Sequence, residues 1–162
     1  MTKKGTLLAF AFTFISLLSL KAQDYKLAIG GRFGPASGIT VKGFLDRSHA
    51  LEGIFDFRWG GTMITGLYEF QKPIGDLPAM SWYYGLGGHV GFWNEDDPHF
   101  PGWKFDHSGN YSAFGVDGVL GLEYKIREIP FTLSLDWKPM INVGDYNAFW
   151  ADMFGFSVRY RF

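Results

Sequence analysis

The sequence has no cysteine, so disulfides, thiolate metal sites and cysteine nucleophiles are excluded from the outset. Charge is scarce as well. Asp, Glu, Lys and Arg make up 19% of the 162 residues, below the roughly 25% usual in soluble domains. Neither sign predominates, and a formal net charge of -1 offers no basic field for nucleic acid. Beyond the N-terminal segment almost no stretch repeats apolar residues at helical spacing. Glycine is abundant, at 22 residues, but follows no fixed period, which excludes collagen-like and low-complexity readings.

What the chain has in excess is aromatic residues, 19% of its length, and strict alternation of apolar with polar positions. Its length suits one domain. The first residues read as an export signal. Lys3 and Lys4 precede the apolar run "TLLAFAFTFISLLSL", which is shorter than the roughly 20 residues of a comfortable membrane-spanning helix. Residues 1–22 are therefore expected to be a signal peptide, cleaved after Ala22 or Gln23, with a short membrane anchor as the alternative. Removing Lys3, Lys4 and Lys21 from the 15 basic residues leaves 12 against 16 acidic ones, so residues 24–162 carry about -4.

That remainder divides into eight period-two segments separated by turn residues. They are "YKLAIGGRFG" from Tyr25, "SGITVKGFL" from Ser37, "ALEGIFDFRW" from Ala50 and "TMITGLYEFQ" from Thr62. "SWYYGLGGHVGFW" from Ser81, "SAFGVDGVLGLEY" from Ser112, "FTLSLDWK" from Phe131 and "MFGFSVRYRF" from Met153 complete the set. Most approach the roughly 9–11 residues with which a tilted strand crosses a bilayer. "DRSH", "KPIGDLPA" and "KIREIP" read as connections, and two longer loops are expected at 94–111 and 142–152.

Sorting by parity separates an apolar face (Ile29, Phe33, Val41, Phe55, Phe57, Leu86, Leu120, Leu135, Phe156 and their equivalents) from a polar one. The polar face holds the candidate interior network: Arg32, Lys42, Glu52, Asp56, Arg58, Glu69, His89, Asp117, Glu123, Asp136, Lys138, Arg159 and Arg161. Alternation alone fits two barrels. A soluble barrel turns the apolar face inward around a ligand, whereas a membrane barrel turns it outward to lipid. Three observations favour the second. The polar face is rich in Gly, Ser and Thr, as a crowded interior requires. Its charges nearly balance, with Lys26 making seven basic groups against six acidic ones. Aromatics gather at strand ends, as in the two interfacial belts of a bilayer. Trp59, Trp137 and Phe33 are expected at one rim and Tyr160, Phe162, Phe70 and Phe44 at the other, with Trp82, Tyr83 and Tyr84 opening the fifth strand. An all-β, eight-stranded antiparallel up-and-down barrel follows, with both termini at its periplasmic side and the long loops outward.

The signal-like start, eight alternating strands and terminal "VRYRF" resemble the small outer-membrane barrels of the OmpA transmembrane-domain and OmpX kind. The phrases "GPASGITVKGFL", "ALEGIFDFRWGG" and "WYYGLGGHVGFW" look like small barrels of Bacteroidota-type bacteria. The resemblance implies residence in the bacterial outer membrane, contact with its lipids, and recognition by the barrel-assembly machinery. The assembly signal it implies is an aromatic last residue with apolar residues at alternate positions before it, here Phe156, Val158, Tyr160 and Phe162.

Candidate chemistry is sparse. Glu95, Asp96, Asp97, His99, Asp106 and His107 offer metal ligands, but their spacing matches no defined loop, and no metal or cofactor is expected. Barrels of this size include lipid A acyltransferases and deacylases. The nearest material, Asp106-His107-Ser108, is contiguous in a loop and does not place a base against a nucleophile, so no catalytic residue is expected. Trp103, Phe105, Tyr111, Tyr146, Phe149 and Trp150 put aromatics into the two long loops, to dock an unidentified surface partner or to fold onto the rim. The expectation is a structural or surface-interaction role with the interior plugged by salt bridges. The alternatives are a narrow channel, a lipid-modifying enzyme and a soluble exported ligand-binding barrel.

Overall fold

A computed structural model describes residues 26–58, 60–93, 111–143 and 149–162. The expected signal peptide, Trp59, the segment 94–110 with Trp103 and Phe105, and Tyr146 lie outside the described residues. Among the described residues ten strand segments follow one another: β1 (Leu27–Phe33), β2 (Ser37–Phe44), β3 (His49–Arg58), β4 (Gly61–Ile74), β5 (Leu77–Trp93), β6 (Tyr111–Lys125), β7 (Phe131–Trp137), β8 (Met140–Val143), β9 (Phe149–Trp150) and β10 (Phe154–Arg161).

These ten make eight barrel strands. β7 and β8 both pair with β6 in one register, Leu120 opposite Trp137 and Asp117 opposite Met140. Only Pro139, which has no N–H to donate, interrupts the ladder between them. Its carbonyl still accepts from the Gly118 amide at 2.9 Å. β9 and β10 are likewise one strand carrying a bulge. Trp137 lies opposite Phe154 and Met140 opposite Trp150, so three steps on one strand face four on the other. The Trp137 indole pins this bulge by donating to the Ala151 carbonyl at 2.6 Å.

Every neighbouring pair is antiparallel, and β1 closes the sheet on β10. Two routes from Ala28 to the seventh strand measure the stagger. One runs through Lys42, Glu52, Leu67, Gly87 and Asp117 to Met140; the other passes through Arg161 to Pro130. They end ten residues apart, which tilts the strands by roughly 35–45° and leaves an interior that side chains can fill.

Two expected connections are in fact strand. "INVGDYNAFWAD" contributes β8 and β9, because alternation resumes past Pro139, with Ile141 and Val143 exposed and Met140 and Asn142 buried. "KPIGDLPA" shrinks to a turn at Gly75–Asp76, where Gly75 reverses the chain at φ 44°.

The burial pattern is inverted relative to a soluble domain. β3 alternates strictly, with Leu51, Phe55 and Phe57 exposed and Glu52, Asp56 and Arg58 buried. Leu86 is 70% exposed while Lys42 and Asp117 are at 0%. Phe33, Phe57, Phe92, Phe114, Trp137 and Phe154 mark the end bearing the 94–110 connection, called here the loop end. Tyr160 and Phe162 mark the opposite, terminal end, where His49, Phe70, Tyr84 and Trp82 also form a run of ring contacts at 5.1–5.3 Å. Tyr83 does not join this belt as expected. Its parity differs from that of Trp82 and Tyr84, and it is buried inside the barrel at 0% exposure.

Candidate functional site: the barrel interior

Each strand presents inward-facing residues in a similar order from terminal end to loop end. β3 offers Glu52, Ile54, Asp56 and Arg58, and β4 offers Gln71, Glu69, Leu67, Thr65 and Met63. β6 offers Glu123, Val119 and Asp117. The interior is therefore stratified.

The layer nearest the terminal end is a charge network. The Lys42 ammonium lies 2.8 Å from Glu69 and 3.5 Å from Glu123. Arg159 donates to Ser134 Oγ at 2.8 Å and to Glu52, and stands 3.7 Å from Glu123. Thr40 donates to Glu52, and Gln71 donates to Ser81 at 2.6 Å and to Glu123 at 2.8 Å. Above it, Arg32 grips Asp136 in a two-pronged pair whose Nη1–Oδ2 arm is 2.8 Å, and the Tyr83 hydroxyl donates to the same carboxylate at 3.0 Å. The Tyr83 ring also covers the Lys42 ammonium, 4.1 Å from its centroid. An apolar cluster of Ile54, Leu67, Tyr83 and Val119 completes this level.

Next comes a second polar layer. His89 spans Asp117 and Asn142, each 2.9 Å from one ring nitrogen, and Lys138 stands 3.3 Å from both Asp117 and Thr65. Asp56 is fully buried near Lys138, Arg32 and Arg58, and neither of its carboxylate oxygens has a hydrogen-bond partner among the described residues. At the loop end Met63, Met140, Met153 and Ala36 close the column as an apolar cap, with Trp150 packed against it. The Arg58 guanidinium lies 5.2 Å from the Trp150 ring, donates to Asp152 at 2.7 Å and touches the Met153 thioether.

Glycines make this crowding fit. A Cβ on Gly155 would overlap the Arg32 guanidinium, and one on Gly121 would overlap the Tyr83 ring. Without these two glycines the long side chains could not lie flat across the lumen.

The structure thus brings together twelve of the thirteen candidate network residues inside the barrel. Arg161 sits instead at the terminal mouth, where its guanidinium donates to the carbonyls of Ile126 at 2.6 Å and Ile129 at 2.8 Å. Tyr83, Gln71, Ser81, Asn142 and the three cap methionines were missing from the sequence reading. Parity marks Tyr83, Gln71 and Ser81 as inward, whereas Asn142 and Met140 were hidden beyond Pro139. Of the loop aromatics, Phe149 is 63% exposed, while Trp150 turns onto the cap. Tyr111 opens β6, and its side chain lies outside the described residues, as do the loop acids and both loop histidines. In the terminal strand Phe156, Tyr160 and Phe162 are exposed on the outer wall and Val158 is half-buried. Among the described residues no three His, Asp or Glu side chains come together as a metal site.

No protein-family model and no curated protein matches the chain. A solved structure, the N-terminal β-barrel domain of Pseudomonas aeruginosa OprF, is similar in fold at a TM-score of 0.64 and 14% identity, covering 86% of this chain and 100% of that one.

Proposed function

We propose that the chain is an integral β-barrel of a bacterial outer membrane, non-enzymatic, with a plugged interior and a structural or surface-interaction role. One observation carries the reading: the large apolar side chains point out and the charged ones point in. Leu86, Phe114, Leu135 and Phe154 are each between 58% and 70% exposed, and a continuous wall of this kind is stable only against hydrocarbon. A soluble ligand-binding barrel requires the reverse. Closure of β1 on β10 suits the same setting, since an open sheet edge in lipid leaves backbone groups unsatisfied.

Stratification of the interior supports the plug. Any ion crossing the barrel would have to part the Lys42–Glu69 and Arg159–Glu52 pairs and then the methionine cap. Interaction with a surface partner is assigned to the loop end, where Phe149 is exposed. Assembly is assigned to the outward face of the terminal strand, Phe156, Val158, Tyr160 and Phe162. The narrower likeness to Bacteroidota-type barrels rests on the quoted phrases alone.

The test is reconstitution. The folded protein should show heat-modifiable migration on a gel, remain with the detergent-soluble membrane fraction, and give no conductance steps in planar bilayers. Recovery as a soluble protein without detergent would refute the membrane reading, and stable conductance would refute the plug.

A further inference from the structure

The two ends of the barrel carry opposite charge. In sequence, in or beside the terminal-end connections, stand six basic residues, Lys26, Arg47, Lys72, Lys125, Arg127 and Arg161, against four acidic ones, Asp24, Asp46, Asp76 and Glu128. The connections at the loop end contain Glu95, Asp96, Asp97, Asp106, Asp145 and Asp152 in sequence, with Lys104 as their one basic residue. Lys26, Arg47, Lys72 and Arg127 are exposed and belong to different connections, so they are distributed around the terminal rim. The Asp46 carboxylate turns back onto its own connection, accepting from the Ser48 and His49 amides with the His49 ring beside it, and the basic residues still outnumber the acidic ones. Lys72 also lies outward beside Trp82, its strand partner, with the ammonium 6.0 Å from the ring centroid.

We propose that this rim is a docking belt for anionic phospholipid headgroups, anchored at Lys72 and Trp82. The proposal rests on the membrane reading above. In a bilayer, the run of rings from His49 to Trp82 sits at the interface, where aromatic residues with a polar edge collect. Long basic side chains at that level extend past the rings to the phosphates while their stems stay on apolar surface. Acidic headgroups then find a basic rim, whereas the acidic connections at the opposite end repel them. Juxtamembrane basic residues each strengthen contact with an anionic surface by roughly fivefold before screening.

The experiment uses the full chain refolded into nanodiscs of equal phosphatidylglycerol and phosphatidylcholine, with retained lipid counted by native mass spectrometry. The wild type should retain phosphatidylglycerol over phosphatidylcholine by roughly fivefold or more, falling toward parity near 1 M salt. A variant carrying Arg47→Glu, Lys72→Glu and Arg127→Glu should lose the preference while keeping heat-modifiable mobility in purely zwitterionic discs. A charge-conserving Arg47→Lys, Arg127→Lys variant should keep it. A folded, inserted wild type with no preference overturns this proposal and leaves the membrane reading standing. Failure to insert into either lipid overturns both.

Discussion

The charge network near the terminal end and the cap at the loop end fill the lumen in opposite ways, with the polar layer of His89, Asp117 and Lys138 between them. Near the terminal end five acidic and basic side chains, Lys42, Glu52, Glu69, Glu123 and Arg159, hold one another, and hydroxyls and an amide take up further contacts. At the loop end the lumen closes with thioethers and an indole around a single guanidinium. The difference shows where each kind of filling is stable. Deep in the wall a charge survives only inside a network, because an isolated one bears its full desolvation cost. At the mouth, Arg58 reaches the exposed Asp152 carboxylate, so an apolar cap around it needs no further ionic partners. The terminal-end network should therefore be brittle to loss of one member, and the loop-end cap tolerant.

The largest effect is expected from Arg159→Ala. It leaves Glu52 without its main counter-charge and takes one of two cations from Glu123, which keeps Lys42, a loss of about 3–5 kcal/mol, readable as a lower urea midpoint for unfolding from vesicles. Arg159→Ala combined with Glu52→Gln should recover part of that loss. If the double variant is no better than the single one, the network account is wrong. Gly155→Val ranks next. Its side chain must displace the Arg32 guanidinium from Asp136, and overpacking of this kind typically costs about 1–3 kcal/mol. The expected readout is again the urea midpoint, with heat-modifiable mobility retained. At the loop end Trp150→Ala should cost less, about 0.5–2 kcal/mol, because the ring is half-buried and Arg58 keeps its pair with Asp152. A loss at Trp150 equal to that at Arg159 would abolish the distinction between network and cap.

The same division governs what could be read from the sequence. Strand existence and face were legible, because the wall repeats every second residue and a polar residue on the wrong side cannot be hidden. Phe154, Phe156 and Tyr160 are on the exposed face for that reason, and Ser157 and Arg159 on the buried one. The partners within the network were not legible. Arg32 meets Asp136 across 104 positions, and Arg159 meets Glu52 across 107, distances set by a stagger that no local pattern records. Tyr83 was obscured by its aromatic neighbours, Trp82 and Tyr84, which suggested a belt where parity gave the correct answer. Met140, one member of the cap, was hidden beyond Pro139. Proline usually ends a strand, but here the register runs through it because the proline carbonyl still pairs with Gly118.

The smallest predicted effect lies outside both the network and the cap and serves as their control. In the turn between β2 and β3, the Asp46 carboxylate accepts from the Ser48 amide at 2.7 Å and the His49 amide at 2.9 Å, with the His49 ring nitrogen also 2.7 Å away. The Ser48 amide first, then the His49 ring, hold its carboxyl below the ordinary carboxylate range. A lowered folded value means the contribution is complete above that range and is lost as pH falls through the folded value. Because the group is exposed, Asp46→Asn should lower the unfolding midpoint only slightly at neutral pH, and the two proteins should converge in acid. A gap that persists or widens below the carboxylate range would show that Asp46 acts through shape, not charge. Arg159→Ala, whose penalty comes from buried partners, should remain far below wild type at neutral pH where the Asp46 difference is already small. The ratio of these two losses then measures how much an ionic contact gains in weight by moving from the turn into the lumen.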